Sequence, residues 1–270
     1  MDSVLRHKAL ALVTFSSSGR MVAERLLLTW PQARLFLHQS LDSGPQSFVR
    51  VFDLVAQRFH DFQGWIFVGP CGVAVRAIAP HLRSKLSDPA VVVVDVGARH
   101  VISLAGGHEG GANELANAVA NDLAAIPVIT TSSEAERTLI AGIGCRKGCS
   151  AQTIISLLDQ ALEQVQAART ELRCLATARL KAHEPGIQQA AEMLGIPLRL
   201  LSHSAIQRIA PLCAHQPGVQ RRVGLPAVAE PAALLGGERT QLCLKRIAQA
   251  GATVALAREN CWSWDWDPEV

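Results

Sequence analysis

Between a strand-like stretch and a helix-like one, the chain reads Gly106-Gly107-His108-Glu109-Gly110-Gly111-Ala112-Asn113-Glu114. His108 is bracketed on both sides by glycine pairs, and Glu114 stands about one helical turn beyond the motif. An imidazole at such a turn can take a proton from water. The glycines leave backbone N–H groups uncovered, and without a Cβ they let a large ligand approach the main chain. A helix starting just behind the turn presents its positive end to anionic groups. The ligand is therefore expected here, at Gly106, Gly107, Gly110 and Gly111. The plainer alternative is that His108 caps the helix and Glu114 complements its dipole.

Three further segments carry polar groups at strand-to-helix passages. In Gly69-Pro70-Cys71-Gly72-Val73-Ala74-Val75-Arg76, the turn is expected at the carboxyl edge of a sheet, where open α/β folds bind ligands. Arg76 offers a fork that grips carboxylates. Cys71 is either a thiol activated at a helix start or, more commonly, a small buried side chain. Gly142-Ile143-Gly144-Cys145-Arg146-Lys147-Gly148-Cys149-Ser150 reads as a cationic, anion-binding turn. It lacks both the P-loop ending and the dinucleotide-binding spacing. Cys145 and Cys149 read as a structural pair of thiols. Lys181, His183 and Glu184 mark another such passage, and Glu230 and Lys245 read as surface ion-pair residues. With no His-x-x-x-His on a helix and no Cys-x-x-Cys, no protein-held metal is expected.

The elements that position these residues alternate. Short apolar runs at Ala9 to Thr14, Leu35 to Leu37, Trp65 to Val68 and Val91 to Val94 are separated by amphipathic stretches. The four valines are apolar on both faces, which fits a central strand covered on both sides. A new alternation opens at Leu139. The pattern predicts two three-layer α/β domains with mostly parallel sheets, spanning 1–136 and 137–260 and followed by a Trp-rich tail over 261–270. The segment from Ala214 to Arg222 is the most loop-like. At 270 residues the chain has room for two cores, and seven cysteines on so long a chain suit reduced thiols better than a disulfide framework. No apolar run reaches membrane-spanning length and no signal-type block opens the chain, so a cytoplasmic protein with no membrane partner is expected. A net charge of +3, scattered Lys and Arg and no Tyr argue against nucleic acid as a partner.

Taken together, Gly72 to Arg76 with Ala79-Pro80, Asp88 to Asp95, Val101 to Leu104 and Gly107 to Ala116 resemble the N-terminal domain of the cobalt-precorrin-5A hydrolases of oxygen-independent cobalamin biosynthesis. Gly142 to Gly148, Lys181 with Glu184-Pro185-Gly186, Val228 to Ala233 and Thr253 to Arg258 resemble the C-terminal domain of the same family. The resemblance implies a carbon–carbon hydrolase that opens the ring-A acetate δ-lactone of cobalt-precorrin-5A with water. Its products are cobalt-precorrin-5B and acetaldehyde. It implies no resident cofactor, since cobalt arrives inside the substrate. On this reading His108, with Glu114, activates the water, and N–H groups of the glycine turn stabilise the oxyanion. Gly72, Arg76, Asn113, Gly144, Arg146, Lys147, Gly148, Lys181 and Glu184 are then expected to bind the carboxylate-rich macrocycle. Neighbouring enzymes of the corrin pathway and a second copy of the chain are the candidate protein partners. Two departures stand out: the middle region of longer members is missing between the domains, and Glu109 alters the charge beside His108. The alternatives are a non-catalytic carrier of a corrinoid intermediate and an anion- or nucleotide-binding regulatory module.

Overall fold

The computed structural model describes residues 9–213, 224–225 and 227–260. The loop-like 214–222 segment and the 261–270 tail lie outside them. The chain divides after Thr131 into two compact units. This is slightly earlier than the pattern suggests, because the polar bridge folds as a short helix, α5 (Ser132–Ala135), that groups with the second unit.

In the first unit the chain runs β1 (Leu10–Thr14), α1 (Ser17–Leu27), β2 (Arg34–His38), β3 (Ser47–Phe48), α2 (Val51–Arg58), β4 (Gly64–Val68) and α3 (Cys71–Ile78). It continues through β5 (Ala90–Val94), β6 (His100–Ala105), α4 (Ala112–Leu123) and β7 (Ile126–Val128). The strand order is β3-β2-β1-β4-β5-β6-β7. The sheet is covered on both sides because its strands are apolar on both faces. Leu10, Leu12, Ile66, Val92 and Val94 pack with Ala23 and Leu26 of α1 and Leu115 and Val119 of α4. Val13, Phe36, Trp65, Phe67, Val91 and Val93 pack with Val51 and Val55 of α2 and Ala74 and Ile78 of α3. The valine strand β5 is interior as expected, one place off the midpoint that β4 occupies.

One pairing departs from parallel. β5 and β6 are antiparallel, with Val94 opposite Val101 and Val91 opposite Ala105, and β7 is parallel to β6. The cause is local. Asp95 gathers the return loop: Oδ1 accepts from the N–H groups of Arg99 and His100 (2.8 and 2.7 Å) and Oδ2 from that of Gly97 (3.1 Å). Ala98 takes a positive φ of 52°. A loop this tight turns the strand back on its neighbour instead of crossing over the sheet.

The second unit contains β8 (Leu139–Cys145), α6 (Ala151–Gln164), β9 (Leu172–Ala178), α7 (Pro185–Leu194), β10 (Leu198–Leu201), α8 (His203–Ile209), α9 (Ala229–Leu235), β11 (Thr240–Gln249) and β12 (Ala252–Glu259). Its order is β10-β9-β8-β12-β11. β8, β9 and β10 are parallel, and β12 is antiparallel to both β8 and β11, so most strands again share one direction. Leu139, Ala141 and Ile143 face α6 and α7, while Ile140, Cys174 and Ala176 face α8 and α9. Both units are thus three-layered. No helix among the described residues is long and apolar enough to cross a membrane.

Candidate functional site

The glycine motif forms a π-helical turn, Gly107–Gly111, between β6 and α4. Gly106 and Gly111 have φ values of +87° and +83°, a backbone region that glycine enters without a steric cost. At Gly106 space also matters, since a Cβ there would lie 3.3 Å from both Ala90 Cα and Pro89 O. The widened turn carries His108 outward and brings its Nδ1 to 3.8 Å from Glu114 Oε1. The His108 side chain is 70% exposed and that of Glu114 27%, so the imidazole faces solvent with a carboxylate behind it. Glu114 Oε2 is buried and has no hydrogen-bond partner.

The surroundings fix this arrangement. Asn113, expected to touch the ligand, is buried: its Oδ1 accepts from Ser103 Oγ (2.8 Å) and its Nδ2 donates to Thr131 Oγ1 (3.1 Å). It ties the start of α4 to β6 and to the segment that follows β7. Glu109 is paired with Lys85 Nζ at 2.6 Å. The Lys85 hydrogen bond, with Glu109's own backbone N–H, holds the Glu109 carboxyl below its usual range. The added charge beside His108 is therefore largely taken up by Lys85.

Gly72 and Arg76 do not join this turn. They lie on α3, which starts beyond the carboxyl end of β4, whereas the reversal at β6 puts Gly106 beside Ala90, at the start of β5. The two rims are separated by the length of β5, about 15 Å at strand rise. The two glycine turns of the first unit therefore do not share one edge, because apolar patterning carries no information on strand direction. Arg76 and Gly72 are exposed on their own rim.

In the second unit the expected residues do gather on one rim, beyond the carboxyl ends of β8 and β9. Gly148, at φ +77°, donates its N–H to Glu184 Oε1 (2.6 Å), and Lys181 Nζ lies 3.3 Å from Glu184 Oε2. Glu184 is buried and anchors the turn from behind. Arg146 and Lys147 are exposed, and the Arg146 N–H donates to Gly251 O (2.8 Å), fastening the turn to the β11–β12 hairpin. Gly144 is buried in β8, where a Cβ would meet Thr253 Oγ1 at 2.5 Å, so it shapes the rim without lining it. Burial pushes the Cys145 thiol up to about 11 against the opposing charge of Lys181, and it raises Cys149 as well. Burial thus favours the protonated thiol at both positions. Glu230, read from the sequence as a surface residue, is buried in α9 and accepts the Arg246 N–H at 3.0 Å. No group of His, Cys, Asp and Glu suited to a metal ion occurs among the described residues.

Two family models match this chain. A family model described as cobalamin synthesis G N-terminal matches residues 53–134, and one described as cobalamin synthesis G C-terminus matches 139–257. The chain belongs to the cobalamin synthesis G family. It is similar to a cobalt-precorrin-5A hydrolase of Salmonella typhimurium, 26% identical over 350 aligned positions that cover 94% of this chain and 99% of that protein. A cobalt-precorrin-5A hydrolase of Priestia megaterium is 36% identical over 136 residues, covering 48% of this chain and 36% of that protein. Protein CobE of Sinorhizobium is 31% identical over 128 residues, 47% of this chain and 83% of that protein. Among solved structures, a cobalamin biosynthesis protein G homolog from Sulfolobus solfataricus is 17% identical, with a TM-score of 0.39, covering 95% of this chain and 100% of that one. The structure of cobalamin biosynthesis protein chiG from Agrobacterium tumefaciens is 31% identical, with a TM-score of 0.37, covering 45% and 98% of the two chains. The two family matches fall on either side of residues 135–138, so little chain separates the halves.

Proposed function

We propose that the chain is a cobalt-precorrin-5A hydrolase that opens the ring-A δ-lactone and releases acetaldehyde, leaving cobalt-precorrin-5B. The observation that carries this reading is the contact of His108 with Glu114 on a glycine turn, in a chain similar to hydrolases of that name. His108 takes a proton from a water molecule as the water attacks the lactone carbonyl. Glu114 orients the ring and stabilises the imidazolium that forms. The oxyanion meets the N–H groups at the first turn, which precede the intrahelical donors. When the tetrahedral intermediate collapses, His108 returns its proton to the departing lactone oxygen. No cofactor of the protein is needed; cobalt travels within the substrate. In the second unit, Arg146 and Lys147 are exposed cations of the kind that pair with carboxylates. The reaction is placed in the cytoplasm.

The test is to incubate the purified chain with enzymatically prepared cobalt-precorrin-5A and to measure acetaldehyde together with the change in corrinoid absorption. Stoichiometric acetaldehyde is expected. Tight corrinoid retention without acetaldehyde would replace this reading by that of a carrier.

A further inference from the structure

Beneath the glycine turn, the loop before β5 and the end of β6 enclose a cleft of about 270 Å³ lined by Leu82, Arg83, Lys85, Asp88, Ala105 and Gly106, among others. It lies on the rim that carries His108. A Cβ at Gly110 would come within 3.4 Å of Asp88 O, so the turn rests on this loop, and the Lys85–Glu109 ion pair spans the two. Asp88 is only 8% exposed. Its Oδ2 accepts from the N–H groups of Arg83 (2.7 Å) and Ser84 (2.9 Å), which suffices to hold the loop. Its Oδ1 is buried and has no hydrogen-bond partner. Buried polar atoms are nearly always satisfied, so an unpartnered carboxylate oxygen on a residue that lines the cleft points to a donor on the ligand.

Lactone opening alone does not yield an aldehyde. Hydrolysis leaves the former lactone oxygen as a hydroxyl on the carbon that becomes the aldehyde carbon. For the aldehyde to form, a base must then remove the hydroxyl proton. We propose that Asp88 is that base, a further catalytic residue, and that the cleft holds the departing two-carbon fragment; this rests on the lactone-opening reading above. The Asp88 carboxylate takes the hydroxyl proton, the oxygen's electron pair forms the C=O bond, and the bond joining that carbon to the macrocycle breaks. The electron pair of the broken bond passes into the conjugated macrocycle. The proton held on Asp88 then goes to the macrocycle carbon or to water, restoring the carboxylate. No oxidant or reductant is required.

The experiment compares Asp88→Asn and His108→Gln with the unaltered chain on cobalt-precorrin-5A, following the opened hydroxy acid (the water adduct) by mass spectrometry and acetaldehyde separately. D88N is expected to accumulate the water adduct while acetaldehyde falls by about 100-fold or more, the range for loss of a general base. H108Q is expected to lower both together, by about 100-fold or more. Adduct and acetaldehyde falling in parallel in D88N, or neither changing, would overturn the assignment. Where D88N lacks a cooperative thermal transition, Ala105→Leu, which narrows the cleft, decides. It should slow acetaldehyde release more than opening, and an equal loss of both would sink the proposal. Failure of the underlying reading is distinguishable: the unaltered chain would then give neither adduct nor acetaldehyde.

Discussion

His108 and Glu114 are six positions apart, yet their side chains meet because a π-helical turn widens the backbone just before α4. That pairing was legible in the sequence, since it depends on a contiguous stretch with glycines at both of its positive-φ positions. Asp88 and Lys85 were not legible as partners of the turn, because they reach it only through the pairing of β5 with β6. Asn113 was misread for a related reason: its partners, Ser103 on β6 and Thr131 in the segment after β7, meet it through pairings the pattern could not align. In steady-state assays His108→Gln should lower acetaldehyde formation by about 100-fold or more. Glu114→Gln should lower it by about tenfold, keeping the ring in place but losing the charge behind it. Arg76→Ala should stay within about threefold of the unaltered chain, because the arginine stands on the opposite rim; a loss comparable to that of H108Q would contradict the rim assignment.

The elements themselves follow from periodicity, while their directions depend on loops. Val91 to Val94 announces a buried strand, but only the tight Asp95 loop makes its successor antiparallel. Burial alone would raise the Asp95 carboxyl, yet the N–H of His100, the Arg99 side chain and the N–H groups of Arg99 and Gly97 outweigh it and hold it below the usual aspartate range. Its contribution to stability is therefore complete above the unfolded-state pKa, about 4, and is lost as pH falls through the lower folded-state value. Urea midpoints measured across that acid range should decline less steeply for Asp95→Asn than for the unaltered chain. An identical pH dependence would mean that the loop does not draw on this charge. α9 offered little pattern to read, being a seven-residue run around Pro231 in which alanines predominate. Its fit depends on Gly142 of β8, where a Cβ would lie 1.9 Å from Ala229 O and 2.4 Å from Ala233 N. Gly142→Ala should lower stability by about 1–3 kcal/mol or more, read as a drop in the thermal midpoint of the second unit. The glycine that looked like part of an anion-binding turn thus serves helix packing.

At the scale of the molecule, two layered α/β units with separate cores were foreseeable from the restart of alternation at Leu139, and the two family matches fall on the same halves. What could not be read was the antiparallel pairing within each sheet, β5 with β6 in the first and β12 with its two neighbours in the second, since pairing partners are set by tertiary contacts. Expressed separately, residues 1–131 and 132–270 should each unfold in one cooperative transition. A non-cooperative melt from either piece would show that its core is incomplete. The turned-back strand β6 has a practical corollary. Because it sends His108 to one end of the first sheet and leaves the start of α3 at the other, a dye or resin linkage placed near Arg76 would leave the histidine unobstructed, and any turnover that depends on it could be watched on individual tethered molecules.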